Sequence, residues 1–175
     1  MKHISWKYIA GLIDGEGCLD FQVGHSRYTR ADGSRSEYLY ITPRLRVAMA
    51  ENARYLIELL RNQCGGNVWK SERARMNENW QDAYYWQLEN SRLRPVLQEI
   101  VKFLIVKKEQ ARFLIWLIDN MRGKQVKQHD MQNLDAARRV AREELKAMKR
   151  DPQRLSERAV EVVKAALTEA TVHSA

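Results

Sequence analysis

Residues 9–17 read Ile9-Ala10-Gly11-Leu12-Ile13-Asp14-Gly15-Glu16-Gly17. Trp6, Ile9, Ala10 and Ile13 recur at helical spacing and form one apolar stripe. Gly11 and Gly15 fall on a second face that carries no side chain, where another backbone can approach closely. Each glycine costs a helix about 1 kcal/mol relative to alanine. Asp14 and Glu16 then come near the helix C-terminus, where the dipole disfavours negative charge. A sequence shaped only for stability has no use for this combination. A close helix–helix crossing with a cation-binding acid at its end accounts for all of it.

Beyond Gly17 the period changes from helix to strand. Leu19, Phe21 and Val23 alternate with Asp20, Gln22 and Gly24, a half-buried strand with one polar face. Residues 25–36 are polar and basic, with 31–34 as the turn. In the second strand Leu39, Ile41, Leu45 and Val47 mark the inner face, and Tyr40, Thr42, Arg44 and Arg46 the outer one. Pro43 falls on the inner register and points to an edge or a bulge. Residues 50–63 have helical spacing, with Ala53, Leu56, Ile57 and Leu60 apolar, and Gly65-Gly66 ends that helix. A second hairpin runs over about 67–73 and 82–88, connected through 76–80. Helices follow at roughly 92–103 and 107–122, then at about 130–150 and 153–171. The order is that of an α+β protein with an antiparallel sheet. No internal repeat is evident. The reading is one domain over 1–175, with a core at about 6–122 and a helical tail at about 128–172.

Thirty Lys and Arg against 22 Asp and Glu give a net charge of +8, which suits a polyanionic partner such as nucleic acid. Cys18 and Cys64 are far apart, without zinc-type spacing, and read as reduced thiols of an intracellular protein. No apolar run has signal-peptide or membrane-spanning character, so no membrane partner is expected. His3, His25, His129 and His173 form no ligand pair.

The nine-residue stretch resembles the signature of the LAGLIDADG homing endonucleases, with Glu16 in place of the commoner Asp at the eighth position. The resemblance implies an αββαββα fold with a saddle-shaped antiparallel sheet, followed by C-terminal helices. It implies cleavage of double-stranded DNA at a long pseudo-palindromic site, by a protein whose gene lies in an intron or intein. A single motif in a chain of this size implies a homodimer, with Gly11, Asp14 and Gly15 at the seam. Glu16 matches the acid that binds the divalent ion, Mg2+, for which Mn2+ or Ca2+ can substitute in binding. Lys107, within Val106-Lys107-Lys108-Glu109-Gln110-Ala111, matches the lysine beside the active site. Glu16 and Lys107 are therefore the catalytic candidates. The location implied is intracellular, in cytoplasm, nucleoid or organelle matrix.

One departure stands out. Homodimeric relatives carry a water-positioning glutamine near the end of the second strand and an arginine a turn later. Met49 and Ala53 stand at those positions, with Arg46, Glu51, Asn52 and Arg54 nearby. This leaves open a different water network, a shifted register or impaired catalysis. The alternatives to an endonuclease are an RNA-splicing maturase, with RNA as its partner, and a DNA-binding regulator that does not cleave. An unrelated basic scaffold protein is a further alternative, and it would make the motif a coincidence.

For DNA contact, Gln22, Ser26, Tyr40, Thr42, Arg44 and Arg46 share the outward register, as do Trp69, Ser71 and Arg73 in the second hairpin. Arginine can read guanine and glutamine adenine in the major groove. A merely solvated face has the same look. Tyr84, Tyr85, Trp80 and Trp86 are more simply core or hairpin packing, and the basic residues between Arg138 and Arg150 a solvated helix face. Strands of about 10 residues span ~33 Å, about one DNA turn.

Overall fold

The computed structural model describes residues 3–29, 31–72, 81–121 and 131–172. Ser5 starts the first helix by accepting the Tyr8 N–H on its hydroxyl at 3.2 Å. That helix, α1 (Trp6–Glu16), buries Ile9, Ala10 and Ile13 completely, the stripe read from the sequence. Gly17 ends it in an extended conformation and donates its N–H to the Ile13 carbonyl. A Cβ on Gly17 would lie 2.7 Å from that carbonyl oxygen. Only glycine lets the chain pass from helix to strand without a gap.

Strand β1 (Gly17–Thr29) pairs along its whole length with β2 (Arg35–Ala50). The strands thus run through 25–29 and 35–36, within the polar stretch that composition assigned to the connection. The backbone ladder continues there to Thr29 opposite Arg35. The turn at 31–34 forms as expected, with the Asp32 carboxylate accepting the Ser34 N–H at 2.9 Å and Gly33 at φ 81°. A short 3-10 turn, Glu51–Ala53, precedes α2 (Arg54–Cys64). Gly65 and Gly66, both at positive φ, turn the chain into β3 (Asn67–Ser71). A Cβ on Gly66 would meet the Gln87 carbonyl at 2.5 Å, and Trp86 Nε1 donates to the Gly65 carbonyl at 2.7 Å. Then follow β4 (Ala83–Glu89), α3 (Asn90–Ile100), α4 (Lys108–Met121), α5 (Met131–Arg150) and α6 (Ser156–Val172). Arg73, residues 76–80 with Trp80, Arg122 and His129 lie outside the described residues.

The antiparallel sheet has the order β1-β2-β4-β3. β2 is therefore central, yet its pairing with β4 stops at Arg44 opposite Glu89. Pro43, one residue further, has only β1 beside it and faces Phe21. The proline sits where the central strand becomes an edge, where a missing N–H is tolerated. Leu19, Phe21, Ile41, Leu45, Val47, Trp86 and Leu88 line the inner face and join one core with α1–α4. Trp86 is fully buried, as packing demanded.

Ala137, Ala141, Leu145, Met148, Ala159 and Val163 bring the tail helices into the same core. Arg138 is buried too, so the basic stretch of α5 is not one solvated face. Glu109 at the start of α4 secures the tail. Its Oε2 accepts the Ser156 N–H at 2.9 Å and the Ser156 hydroxyl at 2.7 Å, while Oε1 accepts from Arg112 at 2.6 Å. Burial works to raise the Glu109 pKa, but the Ser156 donors and Arg112 outweigh it and hold the carboxyl below its ordinary value. Stability from a lowered carboxyl pKa is present above the unfolded value and fades as pH falls through the folded one. Glu109→Gln is expected to cost about 1.5–3 kcal/mol at neutral pH and clearly less near pH 3, measured by urea unfolding at both.

Candidate active site and nucleic-acid face

Two charges at the end of α1 are exchanged with the start of α4. Asp14 Oδ2 accepts the Ile105 N–H at 2.7 Å and Oδ1 the Lys107 N–H at 2.8 Å. An acid unfavourable at its own helix C-terminus thus caps the N-terminus of another, where it is favoured. The Lys107 ammonium reaches back the other way. It donates to the Ile13 carbonyl at 3.0 Å and to the Asp14 carbonyl, supplying positive charge to the C-terminus of α1. Each helix end is completed by a side chain of the other.

Glu16 lies two residues beyond this clamp and is exposed. The structure therefore brings the two catalytic candidates, Glu16 and Lys107, to one helix end, with the ammonium of Lys107 turned to backbone carbonyls. Asp14, expected at a dimer seam, uses both carboxylate oxygens within its own chain. Gly11 and Gly15 are exposed, and a Cβ on either would meet nothing within 4 Å. Tyr8 on the same helix, and Ile105 (85% exposed) and Val106 in the loop that Asp14 holds, are also exposed.

Among the described residues, no group of three or more His, Cys, Asp and Glu gathers as a metal cage. Glu16 is the exposed carboxylate at the helix end, a single hard oxygen donor. That donor set fits Mg2+, which keeps its waters and takes one or two carboxylates with substrate phosphates. It does not fit an all-protein calcium site.

The outward sheet face is ordered in rows across the strands. Cys18, Arg46, Gln87 and Asn67 form one row, and Asp20, Arg44 and Glu89 the next. Gln22 faces Thr42, and Gly24 faces Tyr40, whose ring lies over the bare glycine. Gln22 and Tyr40 are exposed, while Thr42, Arg44 and Arg46 are half-buried. Ser26 lies opposite Tyr38 in the ladder. Trp69 and Tyr85 stack face to face, 5.3 Å between centroids, and Ser71 is half-buried opposite Ala83. Asp20 was not among the sequence candidates, and it organises this face. It accepts from Arg44 at Nε and, at 3.2 Å, Nη2, and from Arg46 Nη2 at 3.1 Å. Its hydrogen bond holds the proton on Arg44 more firmly than usual, against the effect of partial burial. Its place in an outward register was visible, but its partners depended on an unknown strand register.

Met49 pairs with Tyr84 on the inner register and packs against the core. Its side chain is thereby removed from the outward face. Glu51 pairs with Lys70 at 3.7 Å, and Arg54 with Glu58 at 3.5 Å. The Cys18 thiol faces Lys149 Nζ at 3.7 Å, and burial pushes the Cys64 thiol up to about 11.

No family model and no curated protein matches the chain. Solved structures do. The homing endonuclease I-CvuI, in complex with the I-CreI target, aligns over 92% of this chain and 93% of its own, at TM-score 0.59 and 17% identity. The archaeal intron-encoded homing endonuclease I-Vdi141I, complexed with DNA, aligns over 92% and 95% at TM-score 0.50 and 16% identity. The meganuclease I-SmaMI, bound to uncleaveable DNA, aligns over 77% of this chain and 44% of its own at TM-score 0.53 and 18% identity. The fold is that of the LAGLIDADG homing endonucleases. In a LAGLIDADG fold the nine-residue stretch is then the α1–β1 junction seen here, and Asp14 is its internal tie. Asp14→Asn replaces one acceptor oxygen by an NH2 group facing an N–H. It is expected to cost about 1–2 kcal/mol by thermal or urea unfolding, the loss of one hydrogen bond to a charged group at a half-buried site.

Proposed function

We propose that this protein is a site-specific, divalent-metal-dependent DNA endonuclease that acts as a homodimer. The observation that carries the reading is the Asp14–Lys107 clamp, which fixes the end of α1 and leaves Glu16 exposed next to the outward sheet face. Lys107 has three N–H donors and uses two on carbonyls, so one remains for a phosphate oxygen. Gln22, Arg44 and Arg46 offer the mixed donors and acceptors that base edges require. Thr42, Tyr40, Ser26, Trp69 and Ser71 would complete the face; Arg73 lies outside the described residues.

The dimer rests on two observations. Gly11 and Gly15 present open backbone on one helix face. The chain also matches 44% of I-SmaMI, a chain about twice as long. Two copies crossing at these glycines would place two Glu16 carboxylates together, a repulsive arrangement that cations relieve. Glu16 from each copy would hold Mg2+, with Mn2+ or Ca2+ as substitutes in binding. When bound, the ion would polarise the scissile phosphate and lower the pKa of its water. All 13 residues of β1 pair with β2, a ribbon of ~43 Å. Two such ribbons would cover a long, nearly palindromic site. The gene would sit in an intron or intein, and the enzyme would work on intracellular DNA.

A second reading is a non-cleaving DNA-binding regulator or an RNA-splicing maturase. The inward Met49 and the apolar Ala53 favour it, since neither can position a water. Incubation with a randomised duplex pool and Mg2+ separates the readings: cut products support the nuclease, and intron-RNA binding without cutting supports the maturase. Glu16→Gln keeps the shape and removes the charge. Cleavage of the selected site is expected to fall at least ~100-fold, since metal stabilisation is worth several kcal/mol, while binding persists. A near-normal cleavage rate in this variant contradicts the assignment of Glu16.

A further inference from the structure

The outward sheet face is less basic than the chain's charge of +8 suggests. In the two rows nearest the start of β1, Arg44 and Arg46 meet Asp20 and Glu89, so two cations face two acids. The contacts are specific. Asp20 binds Arg44 through Nε and Nη2 and Arg46 through Nη2. Arg44 Nη1 donates to Gln22 Oε1 at 3.1 Å, and Gln87 Nε2 to Glu89 Oε1 at 2.6 Å. Three of the five N–H donors of Arg44 are thereby used, leaving one on each Nη. Arg46 makes its hydrogen bond to Asp20 alone among these residues, and its buried Nε has no hydrogen-bond partner.

We propose that Asp20 is the positioning residue for sequence readout: it holds Arg44 and Arg46 in one network as base-reading groups and offsets part of the charge that would draw them to phosphates. The inference rests on the DNA-binding reading above. Attraction to phosphate is long-ranged and indifferent to sequence, so it raises affinity for every duplex alike. A hydrogen bond to a base edge acts only at short range and at the right base. Pairing two arginines with an acid weakens the first effect and leaves the second. It also immobilises side chains that would otherwise lose conformational freedom at the moment of binding. Lysine could not serve at position 44, because the fork that Asp20 and Gln22 hold is planar.

The test is the affinity of the full chain for two labelled duplexes, followed by fluorescence anisotropy across about 50–300 mM salt. One is the best duplex selected by the wild-type protein from a randomised pool; the other is its scrambled counterpart. Asp20→Asn preserves shape and removes the charge. It is expected to bind the scrambled duplex more tightly with a steeper salt dependence. It should bind the selected duplex more weakly, so the preference falls about tenfold or more, the discrimination of one bidentate base contact. Arg44→Lys, which keeps the charge and loses the fork, should lose preference at one base position even if the Asp20 variant proves poorly folded. An unchanged preference and salt slope in both variants overturns the proposal. So does a weaker selected complex with the scrambled affinity and salt slope unaltered, since that marks a purely structural role. A wild-type chain that prefers no duplex in the pool fails at the earlier step and overturns the DNA-binding reading itself, and this inference with it.

Discussion

The exchange of charges between α1 and α4 is the constraint on which the functional end of the molecule depends. A helix that ends in Asp14-Gly15-Glu16 works against its own dipole. The fold resolves the conflict by moving each charge to a helix end that favours it. The Asp14 carboxylate caps the start of α4, and the Lys107 ammonium covers the last carbonyls of α1. Gly17 adds the steric condition, because a side chain there would strike the carbonyl that the turn needs. With Asp14 satisfied inside the chain, Glu16 is the carboxylate left at the surface. One acid tied inside the chain and one exposed acid, two residues apart, are separated by where the next element passes.

The sheet continues that logic. β1 leaves the clamp without a linker, so the register of Cys18, Asp20 and Gln22 relative to Glu16 is fixed by covalent geometry. Their partners on β2 are fixed by the ladder, which sets Asp20 against Arg44 and Cys18 against Arg46. The inner face, with Leu19, Leu45, Trp86 and Leu88 fully buried, makes a slip of one residue unaffordable, because it would bring every polar residue inside. Core packing thus determines which groups face outward, and at what spacing.

Much of this was legible in the sequence because it is local and periodic. The apolar stripe of α1, the alternation along β1 and β2, the turn at 31–34 and the stop at Gly65-Gly66 all appear in the structure. The polar ends of the first hairpin were not legible, since strand pairing there depends on the backbone. The role of Asp14 was only half visible: its internal tie is to residues more than ninety positions away. Asp20 was missed for the same reason, as an acid in a polar register has no meaning until the strand beside it is known. Met49 is a further case. Its alignment with a usually polar position was visible, but its place on the inner register, packed against the core, needed the ladder with β4.

The central claim is that the open glycine face of α1 seats a second copy of the chain. Its most direct measurement is disulfide trapping. Gly15→Cys, in a chain carrying Cys18→Ser and Cys64→Ala, places one thiol on that face, where a Cβ meets no atom of its own chain. A disulfide forms only when two Cα atoms come within about 4.4–6.8 Å of each other. Mild oxidation is expected to give a covalent dimer of twice the 20.6 kDa chain mass, reversed by reductant. A chain that stays a single 20.6 kDa species after oxidation, at concentrations where it binds DNA, contradicts the account.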